Sequence, residues 1–132
     1  MKEEIISIET VVSKMLIEKN LTISTAESCT GGLVSATLIN YPGISSVFIE
    51  GCVTYSNESK INRLGVNPNT LKIHGAVSEE TAREMAEGIA KNFDTNVAIS
   101  TTGIAGPDGG TIDKPVGLVY IGIYINGKTT VN

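Results

Sequence analysis

Three short segments carry more hydroxyl, thiol, amine and glycine residues than folding alone requires. The first is Thr25-Ala26-Glu27-Ser28-Cys29-Thr30-Gly31-Gly32, where a β-rich run passes directly into a helical one. The first amides of a helix have no internal acceptor, and the helix dipole puts partial positive charge at the same place. A Ser28 hydroxyl at that turn would have donors at hand for an oxyanion. Cys29 is a second candidate nucleophile at the helix start, although only one of two adjacent side chains is expected to enter a site. Gly31 and Gly32 would let a ligand approach the backbone. The plain alternative is that Ser28 or Thr30 is an N-cap and nothing more. Glu27 is a candidate acid or base, but paired carboxylates are not evident.

The second segment is Tyr55-Ser56-Asn57-Glu58-Ser59-Lys60. With Asn57 as N-cap, Lys60 falls in the first helical turn, where the dipole opposes a cation. That is a poor place for a structural lysine and a good one for an amine that must give up its proton. A solvated lysine beside Glu58 is the alternative. The third segment runs from Thr101 and Thr102 through Gly103, Ala105, Gly106, Gly109, Gly110 and Thr111. Consecutive amides in such a loop form anion-binding concavities. Thr102 and Thr111 add hydroxyls, and an ordinary surface loop is the alternative. With His74 as the only histidine, activation of a hydroxyl would fall to lysine. Acyl transfer on a small anionic molecule is the chemistry that fits.

These segments need elements to hold them. Ile5, Ile8, Val12, Met15 and Leu16 recur at helical spacing and predict a helix over 4–19. Leu21 to Ala26 predicts a strand. A helix carrying Leu33, Val34, Thr37 and Leu38 follows to about Ile39 and stops at Tyr41-Pro42-Gly43. Ser46 to Tyr55 predicts a second strand. Ile61 and Leu64 form the inner face of a short helix ended by Gly65, and residues 68–73 give one more turn. Ser78 caps the clearest helix, with Ala82, Met85, Ala86, Ile89, Ala90 and Phe93 on one face. Val97 to Thr102 is a third strand, and 103–115 a long loop. The apolar run Val116 to Ile125 predicts a strand buried on both faces. Asn126-Gly127 predicts a hairpin into a short returning strand. Strands alternating with helices give an α/β layered domain with a mixed sheet. All three chemical segments follow strands, where ligands gather in open α/β sheets.

Composition narrows the function. The chain has 132 residues, one domain's worth. Its net charge of −4 argues against broad nucleic-acid or anionic-membrane binding. Cys29 and Cys52 are the only cysteines, so no zinc cluster is expected. The Met1-Lys2-Glu3-Glu4 start is too charged for a signal peptide, and no run suits a membrane span. A cytoplasmic protein without metal or cofactor is expected. There is no internal repeat or linker.

Taken together, the blocks identify a family. Thr25 to Gly32, Tyr41-Pro42-Gly43, Val53 to Asn57 with Lys60, Gly75-Ala76-Val77-Ser78, Thr102 to Pro107 with Gly109-Gly110-Thr111, and Lys114-Pro115-Val116-Gly117 occur in order. They closely resemble the CinA C-terminal domain, the PncC-type nicotinamide-nucleotide amidase. The resemblance implies a single three-layer α/β/α domain that hydrolyses nicotinamide mononucleotide to nicotinate mononucleotide and ammonia, in pyridine nucleotide salvage. By it, Ser28 is the nucleophile, Lys60 the general base, and Tyr55 and Thr102 lie in the site. Cys29, Thr30, Gly31, Gly32, Asn57, Gly103, Ala105, Gly106, Gly109, Gly110 and Thr111 are the expected substrate-binding positions, the loop 103–111 taking the phosphate. A homodimer is expected, as is a domain that continues past Asn132 with a further strand and helix. The rival is a non-catalytic module binding a nucleotide or protein in competence or the DNA-damage response.

Overall fold

The computed structural model describes residues 4–132; Met1, Lys2 and Glu3 of the charged start lie outside the described residues. Five α-helices and five strands follow in order: α1 Ile8–Glu18, β1 Ile23–Glu27, α2 Leu33–Ile39, β2 Phe48–Val53, α3 Asn57–Leu64, α4 Pro68–His74, α5 Glu79–Phe93, β3 Val97–Gly103, β4 Val119–Ile125 and β5 Lys128–Val131. The sheet order is β2-β1-β3-β4-β5. β1 pairs in parallel with β2 and β3, while β3–β4 and β4–β5 are antiparallel, so the sheet is mixed as expected.

Helices cover both faces. On one, Met85, Ile89 and Ala90 of α5, Leu64 of α3 and Leu71 of α4 meet Ala26 and Ala98. On the other, Leu16 of α1 and Leu38 of α2 meet Ile23 and Val97. The three-layer expectation holds. Strand periodicity then divides the residues that carry chemistry. Odd-numbered positions of β1 face α2 and even-numbered ones face α5, so all five β1 side chains are buried.

Several boundaries differ from the periodicity. The first helix begins at Ile8, because Ser7 caps it by accepting from the Thr10 amide, and Ile5 stands in solvent. The second strand is shorter than 46–55, since Ile44–Ser46 winds into a 3-10 turn. Ser56, not Asn57, caps α3: its hydroxyl accepts from the Ser59 amide, and Asn57 is already helical. Residues 68–74 form a true helix with Asn67 as cap. Phe93 is 39% exposed rather than internal.

The expectation of burial on both faces of the Val116–Ile125 run is also corrected. The strand starts at Val119, and the face bearing Tyr124 packs on α5. Val119, Ile121 and Ile125 on the other face are partly open.

Candidate active site

The carboxyl end of β1 is where the sheet divides its chemistry. Glu27, the last β1 residue, points to the α2 side. Ser28, one position on, points to the α3 side. The Ser28 amide donates to the Thr101 carbonyl of β3 at 3.0 Å. The turn that follows is made possible by Gly31 and Gly32, both at positive φ (62° and 106°). Neither Ser28 nor Thr30 caps α2. That task falls to the Glu27 carboxylate, which accepts from the amides of Gly32, Val34 and Ser35.

Across the cleft, α3 delivers Lys60. Its Nζ lies 3.0 Å from Ser28 Oγ and 2.8 Å from the carbonyl oxygens of both Thr54 and Tyr55. The side chain is 1% exposed and has no carboxylate partner among the described residues. Burial disfavours the ammonium and holds the Lys60 pKa below the ordinary lysine range, with Cys29 acting weakly the other way. The three acceptors suit either protonation state. An ammonium donates to all three. A neutral amine donates to the two carbonyls and turns its lone pair to the Ser28 hydroxyl.

Cys29 and Ser28 both line one cleft of about 270 Å3, with Tyr55, Lys60, Ala76, Val77, Thr102, Gly103 and Ala105. Burial pushes the Cys29 thiol up, outweighing the N–H groups of Cys29 and Thr30 and the charge of Lys60. The thiol therefore stays protonated near neutral pH, and the amine of Lys60 contacts Ser28 Oγ rather than the sulfur. The Cys29 and Thr30 N–H groups have no hydrogen-bond acceptor among the described residues. By contrast, the Gly31 amide donates to the Ser28 carbonyl and the Gly32 amide to Glu27. The free donors for an oxyanion are therefore those of Cys29 and Thr30, not those of the glycines.

The remaining predicted positions divide. Thr102 is buried at the cleft, and its Oγ1 donates to the Ala76 carbonyl at 2.7 Å, fixing a wall residue. The Tyr55 ring stands 76% exposed at the mouth, while its carbonyl holds Lys60. Thr30 turns its hydroxyl to Glu27 and Thr101, away from the cleft. Asn57 is exposed on α3.

Within the loop only Gly103 and Ala105 reach the cleft. Gly106 and Gly110 lie so close to Val116 that a Cβ would collide with it. Gly109 sits at φ 92°, and the Thr111 hydroxyl accepts from the Lys114 amide inside the loop. Lys114 Nζ in turn donates to the His74 carbonyl at 2.7 Å, pinning the loop to the end of α4.

Sequence reasoning left Ala76 and Val77 without a role and missed Glu27 as the turn's anchor. A Glu just before a strand-to-helix turn was the one available sign of the latter. A larger groove of about 340 Å3 between α1 and α2 is walled mainly by Ile8, Val12, Leu33, Val34 and Leu38, and among the described residues it holds neither candidate nucleophile nor lysine. Among the described residues no group of His, Cys, Asp and Glu is placed to hold a metal. No described helix is long and apolar enough to cross a membrane.

Comparison with known proteins extends this picture beyond one chain. A competence/damage inducible protein, CihA, from Agrobacterium tumefaciens superposes with a TM-score of 0.88 at 40% identity, over 99% of this chain and 82% of that one. A CinA superfamily protein from Klebsiella pneumoniae 700603 gives 0.90 at 37% identity, over 94% and 78%. A competence-damage inducible protein of Clostridioides difficile (strain 630) is 71% identical over 125 residues, which are 95% of this chain and 30% of that protein. The chain thus spans under a third of that longer relative. The CinA C-terminal domain profile matches residues 5–132, nearly the entire sequence, and the chain belongs to the CinA C-terminal domain family.

Proposed function

We propose that the chain is an amidohydrolase that converts nicotinamide mononucleotide to nicotinate mononucleotide and ammonia. The observation that carries this reading is the 3.0 Å contact between Lys60 Nζ and Ser28 Oγ inside a cleft, with no carboxylate among the described residues to keep the amine charged. Lys60 is held by the Thr54 and Tyr55 carbonyls, so its lone pair is aimed at the Ser28 hydroxyl. Neutral Lys60 takes that proton as Ser28 attacks the carboxamide carbon. The oxyanion meets the Cys29 and Thr30 amides; one such donor is worth about 3 kcal/mol. The new ammonium then protonates the nitrogen that leaves as ammonia. Water, deprotonated by Lys60, hydrolyses the Ser28 ester, and the proton returns to Oγ.

A cleft of about 270 Å3 suits a carboxamide and its ring better than a whole nucleotide. The ribose phosphate would then run out past Gly103 and Ala105. The pyridine-nucleotide salvage role, the cytoplasmic setting and a homodimeric assembly belong to the same reading. The acidic balance, net −4, favours a small ligand bound by backbone amides over nucleic acid or an anionic membrane.

The relatives' competence-damage names favour one other reading, a non-catalytic binding module. Incubation with nicotinamide mononucleotide separates the two. Ammonia released in proportion to protein supports the amidase. A raised melting temperature without ammonia supports the module and ends the amidase reading.

A further inference from the structure

We propose that Glu27 is a positioning residue of the Ser28–Lys60 pair, setting the turn that presents the nucleophile and its oxyanion donors; this role rests on the amidase reading. The carboxylate is 1% exposed and has no cation beside it among the described residues. Five donors converge on it instead. Oε1 accepts from Thr30 Oγ1 at 2.6 Å, the Val34 amide at 2.9 Å and the Gly32 amide at 3.2 Å. Oε2 accepts from Ser35 Oγ at 2.6 Å and the Ser35 amide at 3.0 Å. A helix start needs only one or two such contacts. Here they clamp both ends of the turn containing Cys29 and Thr30, whose amides are the free ones.

The main chain of the same residue reaches the other half of the pair. The Glu27 carbonyl accepts from the Thr54 amide at 2.8 Å, and the Thr54 carbonyl accepts from Lys60 Nζ at 2.8 Å. Glu27 thus ties the nucleophile's turn through its side chain and the amine's anchor through its backbone. It is not a proton acceptor in the reaction. Strand alternation turns the carboxylate to the α2 face, and Lys60 approaches from the α3 face. A displacement of about 1 Å at a reacting centre costs on the order of a hundredfold in rate.

The test uses the whole chain and a fluorophosphonate probe, from which Ser28 Oγ displaces fluoride. It reports an activated serine without presuming the natural amide. The adduct is located by mass spectrometry, and its rate is followed against pH beside the melting temperature. In the unsubstituted chain the adduct forms on Ser28 and faster as pH rises.

Glu27→Gln keeps an acceptor for the Oε1 donors and labels about tenfold slower; Glu27→Ala labels about a hundredfold slower. Both keep the pH midpoint of labelling, which Lys60 sets. If Glu27→Ala does not fold, Ser35→Ala, which keeps the charge and removes one donor, still slows labelling about threefold. Unchanged labelling in folded Glu27→Gln and Ser35→Ala overturns the positioning role, as does a shifted pH midpoint. No adduct on Ser28 in the unsubstituted chain overturns the amidase mechanism and this role with it.

Discussion

Lys60 Nζ lies 3.0 Å from Ser28 Oγ, and its two other neighbours are main-chain carbonyls that cannot be protonated away. A buried amine in such a place is most useful when neutral. Only then can it accept the Ser28 proton. Burial lowers its pKa, so the neutral fraction becomes substantial at a lower pH than for a solvated lysine. The rate of ammonia release from nicotinamide mononucleotide should therefore rise with pH along one acid limb set by Lys60. A flat profile through the neutral and mildly alkaline range would remove Lys60 from the base's role.

Replacing Ser28 with Ala removes the nucleophile and leaves the Cys29 and Thr30 amides in place. Ammonia release should fall by at least about a thousandfold. Binding of nicotinamide mononucleotide, followed by calorimetry, should change little, because the cleft walls are untouched. Equal loss of binding and turnover would mean that Ser28 holds substrate rather than attacks it.

Lys60→Met tests the amine from the stability side. The substitution relieves the burial of a charge but orphans the Thr54 and Tyr55 carbonyls, at about 1–3 kcal/mol each if water cannot reach them. The two effects oppose one another, so the variant should unfold within about 2 kcal/mol of the parent at neutral pH. Its ammonia release should fall about a hundredfold or more. The sign of the pH effect is fixed. The folded pKa lies below the unfolded one, so between them the unfolded chain holds a proton that the folded chain lacks. Parent stability should therefore rise as pH climbs through the lowered value and level off past the ordinary lysine range. Denaturant titrations of Lys60→Met should lack that increment.

Lys60 was legible as chemically suspect because a cation in a first helical turn works against the dipole. Its meeting with Ser28 was expected only through the resemblance to a known family, since residue spacing does not show that β1 and β2 pair side by side. The choice of Ser56 over Asn57 as cap was equally hidden: both types cap well, and only the extended backbone of Ser56 decides. Loop 103–111 drew attention for its glycines. Two of them serve close approach to Val116, a packing need that resembles ligand binding in sequence. Glu27 was read as a possible acid or base because a carboxylate beside a serine suggests chemistry. Strand alternation sends it to the opposite face. The apolar run of β4 suggested two covered faces, but Val119, Ile121 and Ile125 stay partly open, because helix packing and not the run itself decides which face is covered.

The position of Lys60 also depends on a glycine in another helix. At Gly88 of α5, an added Cβ would collide with the Leu64 carbonyl of α3 and crowd the Leu64 Cβ. The obstacle is backbone, which cannot rotate aside, so α3 must move. Alanine's better helix propensity returns about 1 kcal/mol, whereas overpacking of this kind costs about 1–3 kcal/mol. Gly88→Ala should therefore lower the melting temperature by several degrees. Leu64 lies one turn after Lys60 in α3, so the same shift draws Nζ away from Ser28. Ammonia release should fall about tenfold or more in protein that is still folded, since roughly 1 Å of misplacement is enough. Gly88→Ala with unchanged melting and unchanged turnover would show that α3 can yield without disturbing the pair, and that the helix contact does not set the distance.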